Sequence, residues 1–460
     1  MIMSSVHSNS LSTEQSSTGL PSTGLNNRRQ RILAYLLVAV TCLLAYRLIH
    51  FSPIRAYENL DPRGSSLIAQ AILQHQTIRV DGYTLPPQNW LFENRNGHVY
   101  TTYPLGTPLF IVPFVALELA RGHDMQRIED DNKLQRRLAS YTVIIFALLA
   151  FGILRVFLPP LLSACLLPIW IFGTGILSTM GAALWSINLV VVWEMVTLLI
   201  LVRYFSGLSQ RLRPVLLGFS LFAAYLCRPT AAMLAALVFI LLWRESPRAF
   251  LTALGVFVLG FIGLVAFSIH EFGTWLPTYY LTFTCALSGY SWKRLFTAFY
   301  GALFGPARGL FVYQPVFFLI VIGCVYYYRR LFRMPLFWLV VAWIGLEILA
   351  VVRFPDWWGG GSFGSRLMVG SFPGWVVLTG LVLREFRFSG RRAFYVGLAC
   401  GLLSGIGIFV HSFQALYNDS TWDWNATPGS IGADPKNMLD WRHPQFLASP
   451  RAVQQLQNRP

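Results

Sequence analysis

Apolar residues along this chain come in runs of about 17 to 23, the number a helix needs to cross roughly 30 Å of hydrocarbon. Clear runs cover 32–50, 138–157, 160–180, 187–205, 250–270, 311–328, 335–352, 367–384 and 393–411. Two stretches are ambiguous. Residues 104–121 are apolar but short and carry Pro104, Pro108, Pro113 and Glu118, and 214–243 holds Arg228-Pro229-Thr230 near its middle. If the first only dips into the interface and the second is two short spans hinged at Arg228-Pro229, the pattern predicts about eleven transmembrane helices. An opposing arrangement spans at 104–121 and crosses once at 214–243, which leaves Arg228 in hydrocarbon at a cost of about 2.5–3.5 kcal/mol. The hinged arrangement is preferred.

Charge fixes the orientation. Arg155, then Arg203, Arg211 and Arg213, then Arg244 and Arg248 fall on one side together with Arg329, Arg330 and Arg333, and with Arg384, Arg387, Arg391 and Arg392. Basic loops stay in the cytoplasm, so the N-terminus is expected inside and the C-terminus outside. Lys133, Arg136 and Arg137 run against the rule. The expected organisation is a disordered cytoplasmic tail at 1–31, a transmembrane domain at 32–411 and an extracytoplasmic tail at 412–460. The first outer loop, 51–137, should carry amphipathic helices. The opening run follows Arg28, Arg29 and Arg31 and has no small-residue cleavage site, so it reads as an uncleaved span.

Composition agrees with this all-α polytopic membrane class. Charged residues make up 12% of the 460, where soluble chains have about 25%, and hydrophobic residues reach 55%. A soluble enzyme or nucleic-acid binder cannot be surfaced from that, and the net charge of +16 reports topology rather than a nucleic-acid partner. The six cysteines are scattered singly, which supports neither a disulfide framework nor a zinc site. The expected outer side holds 15 of the 20 acidic residues, so the chemistry belongs there.

After Asp61-Pro62, Gly64 to Gln74 reads as a surface helix with Leu67, Ile68, Ala71 and Ile72 at helical spacing. Glu58 and Asp61 then stand at the outer end of the first span. A carboxylate there can take the proton of a hydroxyl while the other substrate is held by a lipid tail. Asp61 also fits a plain helix cap.

These residues, together with the long outer loop and Tyr103-Pro104-Leu105-Gly106 at the start of its second helix, resemble membrane glycosyltransferases of the C-type superfamily. The similar clan is that of the protein O-mannosyltransferases and aminoarabinose transferases. The resemblance implies a C-type bundle, a polyprenyl-phosphate-sugar donor and catalysis by Asp61, with Glu58 in reserve. Two further motifs look like those of bacterial members: GPARGLFVYQP, 305–315, and WWGGGSFGSR, 357–366. Arg308 and Arg366 are thereby candidate clamps for the lipid phosphate, since guanidinium offers a permanently charged bidentate fork and glycine admits backbone N–H groups. Both also fit interfacial anchors. Arg228 is a third candidate for the phosphate, or a simple hinge residue, and Tyr103, Trp357 and Trp358 are candidates to line the sugar, or members of an aromatic belt.

The expectation is transfer of a sugar to a hydroxyl of an unidentified glycan, lipid or protein on the outer face of a bacterial plasma membrane. No metal ligand set is legible, because His75, His98 and His123 match no helical pair, and a divalent cation is the one cofactor left open. The competing expectation is a transporter or lipid-linked-sugar flippase built on Glu194 and Glu347, which lie near the middle of predicted spans.

Overall fold

The computed structural model of the protein describes residues 24–53, 60–83, 85, 91–209, 212–285, 291–386, 389–427 and 435–457. Helix α1 is Gly24–Phe51, α2 is Leu60–His75 and α3 is Gly106–Ala120, with a short hairpin, β1 (Phe92–Arg95) and β2 (His98–Thr101), between the last two. Then come α4 (Ile128–Phe157), α5 (Pro160–Phe172), α6 (Ser186–Phe205), α7 (Pro214–Cys227), α8 (Ala231–Glu245) and α9 (Pro247–Phe272). The segments α10 (Thr278–Cys285), α11 (Trp292–Phe304) and α12 (Leu310–Tyr313) precede α13 (Phe317–Tyr326) and α14 (Tyr328–Leu331). Finally α15 (Pro335–Arg353), α16 (Phe372–Glu385) and α17 (Gly390–Ile408) lead into a tail with α18 (Ala415–Tyr417), α19 (Ser420–Asp423) and α20 (Pro450–Gln457).

Among the described residues, seven helical stretches are long and apolar enough to cross a membrane, and four shorter apolar helices join them. The protein is an all-α membrane protein. Burial sorts the bundle: of the best apolar window in each, 83% is buried at 366–385 but 11% in α9 and 17% from α17 onward. The segment 366–385 is therefore central, and α9 and α17 face lipid. Leu259 at 72% and Leu251 at 62% exposure are tolerable only against hydrocarbon.

The ambiguous stretch 214–243 is two helices. Phe222 and Tyr225 of α7 meet Phe257 and Phe261 of α9 in the same order, so those two run parallel. Phe239 and Trp243 of α8 meet Phe257 and Phe250 in the opposite order, so α8 returns. Fourteen and 15 residues rise only about 21–22 Å each. The tip at Arg228-Pro229-Thr230 is packed among neighbouring helices, with Pro229 and Thr230 buried and Arg228 half-buried.

Several boundaries moved. Helix α1 begins at Gly24, ahead of the expected tail boundary at 31, and α4 reaches ten residues before the expected start at 138. Helix α2 begins at Leu60, which puts Asp61 inside its first turn rather than at the cap, with Pro62 beside it where a missing N–H costs little. The hairpin was not expected; its turn is Asn96-Gly97, both at positive φ (53° and 81°), as a tight two-residue connection requires. The expected spans at 160–180 and 393–411 continue into π-helical turns, Ile176–Met180 and Phe409–Gln414. The two turns meet where Ser178 Oγ lies 2.7 Å from His411 Nδ1.

Candidate functional site

The start of α2 rests on α4. Gln135, fully buried in α4, donates through Nε2 to the Pro62 carbonyl at 2.9 Å and to Ser66 Oγ at 2.7 Å. Its Oε1 accepts from the Leu184 backbone N–H at 3.3 Å. The adjacent Trp185 immediately precedes α6, and the Arg366 guanidinium lies 4.1 Å from the centroid of its indole ring. One short path of contacts thus joins the Asp61 turn to Arg366 around the outer end of α6. Glu58 lies outside the described residues, and for Asp61 only the backbone position in α2 is described.

The same path continues inward. Arg366 opens a 3-10 segment, Arg366–Ser371, and a Cβ built on Gly370 of that segment would stand 3.2 Å from Glu347 Oε2. Glu347 of α15 and Glu194 of α6 are both fully buried, and the charge of Arg228 at the hairpin tip acts on both. Helical rise puts Glu347 about 9 Å from the C-terminal end of α15 and Glu194 about 12 Å from the N-terminal end of α6. Arg228 therefore lies within electrostatic reach of two buried acids. The Tyr103-Pro104-Leu105-Gly106 motif reaches this tip as well. A Cβ on Gly106 would fall 2.5 Å from the Cys227 backbone nitrogen, so only glycine lets the start of α3 lie against the end of α7. Tyr103 packs near Tyr279, with ring centroids 5.9 Å apart.

Arg308 is a correction to the sequence reading. It is buried, and all five of its N–H groups are used by protein acceptors. Nε donates to the Trp358 carbonyl at 2.7 Å, Nη1 to the Ala307 carbonyl at 2.8 Å and to Gln445 Oε1, and Nη2 to the Gly360 carbonyl at 3.1 Å and Asn425 Oδ1 at 3.0 Å. No donor is left for a phosphate, so Arg308 ties the 357–361 loop to the tail instead of clamping lipid. Burial, opposed by Tyr313 and helped by the nearby Arg366, pushes its pKa down to about 10, which leaves it charged at neutral pH. Trp357 is buried, and a Cβ on Gly301 would fall 2.1 Å from the outer edge of its ring, so that edge packs on α11. Trp358 is buried edge-on to Trp357, with centroids 5.9 Å apart, and its indole N–H has no partner.

Three residues that sequence reasoning did not single out are central. Gln445 of the tail is fully buried; it donates to the Ser362 and Thr421 carbonyls and accepts from the Gly364 N–H, which docks the tail onto the outer loops. Gln135 seats α2 as described. Asp131, at the outer start of α4, is buried beside Arg63, Ser66 and Gln135. Burial raises its carboxyl to about 6 against the lowering by those three neighbours. No signal marked Gln445, whereas Asp131 and Gln135 stand four apart on the buried face of an amphipathic segment. Asn425, which opens the glycosylation sequon Asn425-Ala426-Thr427, is enclosed in the Arg308 cluster and is not presented for glycosylation. Among the described residues no group of three or more His, Cys, Asp or Glu is placed to hold a metal. His98 pairs with Asp81 and His123 with Glu118.

The sequence matches no protein-family profile and no curated protein. Its fold is similar to that of the oligosaccharyltransferase of Archaeoglobus fulgidus. The apo form aligns at TM-score 0.52 and 12% identity, covering 90% of this chain and 60% of the archaeal one. The complex with Zn and sulfate aligns at TM-score 0.46 and 14% identity, covering 92% and 58%. This chain thus spans about three-fifths of that enzyme's length, and the likeness is one of fold.

Proposed function

We propose that the protein is a glycosyltransferase that moves a sugar from a polyprenyl-phosphate donor to a hydroxyl on the extracytoplasmic face. The observation that carries this reading is the single contact path from the Asp61 turn through Gln135, Leu184 and Trp185 to Arg366. It brings a carboxylate-bearing turn and a cation around one helix start. The fold likeness to an enzyme named as an oligosaccharyltransferase supports the same class.

In this reading Asp61 takes the acceptor's proton as its oxygen bonds to the anomeric carbon. The carbon–phosphate oxygen bond breaks on the opposite side, and its electron pair leaves with the lipid phosphate. Arg366 and, deeper, Arg228 neutralise that developing charge, and no side chain caps the N-terminus of α6, whose first N–H groups add to the positive field. Eleven crossings, with α7 and α8 as two short ones, put the site outside and the arginine clusters inside a bacterial plasma membrane.

The meeting of Glu194 with Glu347 favours the transporter as a second reading, since paired acids in a bundle can carry ions. The two readings separate on one experiment. Purified protein in lipid nanodiscs is given labelled polyprenyl-phosphate sugars and a membrane extract as acceptor source. Asp61→Asn should retain binding of polyprenyl phosphate and lose transfer at least about a hundredfold, while Arg366→Gln should lose binding. Undiminished transfer by Asp61→Asn would remove its assigned role. Loss of ion-coupled flux in Glu194→Gln, with no transfer by the wild type, would favour the transporter.

A further inference from the structure

Helix α17 stands apart from the bundle and leaves a groove of about 1030 Å³ between itself, α5, α13 and α16. That is at or above the ~300–1,000 Å³ of sites that enclose small molecules. Its walls are apolar, with Leu166 and Trp170 of α5, Ile320 of α13, Val382 of α16 and Val396 of α17 among them. The groove follows α13 for about 15 Å. One end is different in kind. Arg329, Arg330 and Arg392 gather there with the hydroxyls of Tyr326, Tyr328 and Tyr395, against the single carboxylate of Glu385. Glu385 is already paired with Arg330 at 2.8 Å, and among the described residues Arg392 and Arg329 hydrogen-bond to tyrosine hydroxyls, at 3.4 and 3.0 Å. Three cations, one acid and an apolar trough leading away from them match a molecule with an anionic head and hydrocarbon chains.

We propose that this groove binds an anionic glycerophospholipid, with its phosphate on Arg329, Arg330 and Arg392 and its acyl chains between α13 and α17. The mouth lies at the end of the bundle opposite Arg366. With the orientation given by the arginine clusters, the lipid belongs to the cytoplasmic leaflet, whose surface is the one that basic segments engage. The site is separate from the outer one and does not depend on its chemistry. A neutral lipid would fill the trough but leave the mouth uncompensated. A second copy of the chain would cover the apolar wall and leave the arginines without anions.

Native mass spectrometry of the full-length protein, released from vesicles of equal phosphatidylglycerol and phosphatidylcholine, tests this. Wild type should retain phosphatidylglycerol at least about tenfold over phosphatidylcholine, and Arg329→Gln/Arg330→Gln/Arg392→Gln should erase that preference. All three arginines are exposed, so the variant keeps the bundle's packing. Leu166→Trp, which fills the trough and leaves the mouth intact, should reduce retention of both lipids. Equal retention of the two lipids by wild type would overturn the proposal, as would a lipid-free dimer or an unchanged preference in the triple variant.

Discussion

Replacing Arg308 with glutamine separates a structural tie from a ligand clamp. The guanidinium supplies five hydrogen bonds, to three carbonyls and two side-chain amides, in a buried setting. Glutamine has two N–H donors and a shorter reach, so at least three acceptors lose their partner. Hydrogen bonds to a charged group contribute about 1.5–3 kcal/mol each, and they are not additive when they share one centre. A net loss of about 4 kcal/mol is therefore expected, within the range of about 3–5 kcal/mol seen when a buried charge contact is broken. At 2–4 °C per kcal/mol for a 150–250-residue domain, and less for a longer chain, the melting temperature should fall by about 5 °C or more. A thiol-reactive dye can follow this in detergent once the exposed Cys165 and the half-buried Cys42, Cys324 and Cys400 are replaced by alanine, because Cys227 is fully buried and becomes reactive on unfolding. Arg366→Gln, which removes a cation–ring contact worth about 0.5–2 kcal/mol, should melt closer to wild type. If Arg308→Gln melts with wild type but loses affinity for polyprenyl phosphate, the tie is refuted and Arg308 returns as a clamp.

The carboxyl of Asp131 makes a pH-dependent prediction. Its folded pKa of about 6 lies above the ordinary 3.8, so the stabilisation is fully present below about pH 4 and is lost as pH rises through 6. Asp131→Asn should therefore match wild type near pH 4 and exceed it by about 3 kcal/mol at pH 8. Melting curves across that range check it, and a gap that closes with rising pH would contradict the assignment. Topology is open to labelling. Leu208 and Glu129 are exposed at opposite ends of the bundle. A membrane-impermeant maleimide added outside whole cells should modify Glu129→Cys and spare Leu208→Cys until the cells are opened; outside labelling of Leu208→Cys would reverse the orientation.

Much of the helical framework was legible because lipid imposes one rule on every span, and that rule leaves a run of apolar residues. The hinge at Arg228-Pro229 was legible for the same reason, since proline and a charge break such a run. The side chains that fill the outer site were less so. Arg308 and Arg366 stand in similar glycine-bordered motifs, yet one is enclosed and the other lies against Trp185. What decides between them is Gln445, 137 residues after Arg308, and Asn425. Pairing at that separation leaves no local pattern. The hairpin was missed although Asn96-Gly97 marks it, because helix dominates the rest of the chain.

The two arginines also act on each other, and this gives Arg308 a part in anion binding that needs no contact. Its acceptors are all neutral, so its positive charge is enclosed but not cancelled, and the field of Arg366 adds to it. Inside protein such a field is far less screened than in water. A phosphate that binds Arg366 would also be drawn by Arg308 behind it, and would relieve the repulsion between the pair. Under the proposed function, the same packing that removes Arg308 from the clamps would make it a fixed source of positive potential near Arg366. Tight docking of the tail, through Gln445 and Asn425, is what holds that charge in place. A loosened tail is therefore expected to weaken binding of an anionic lipid without touching any residue that the lipid meets.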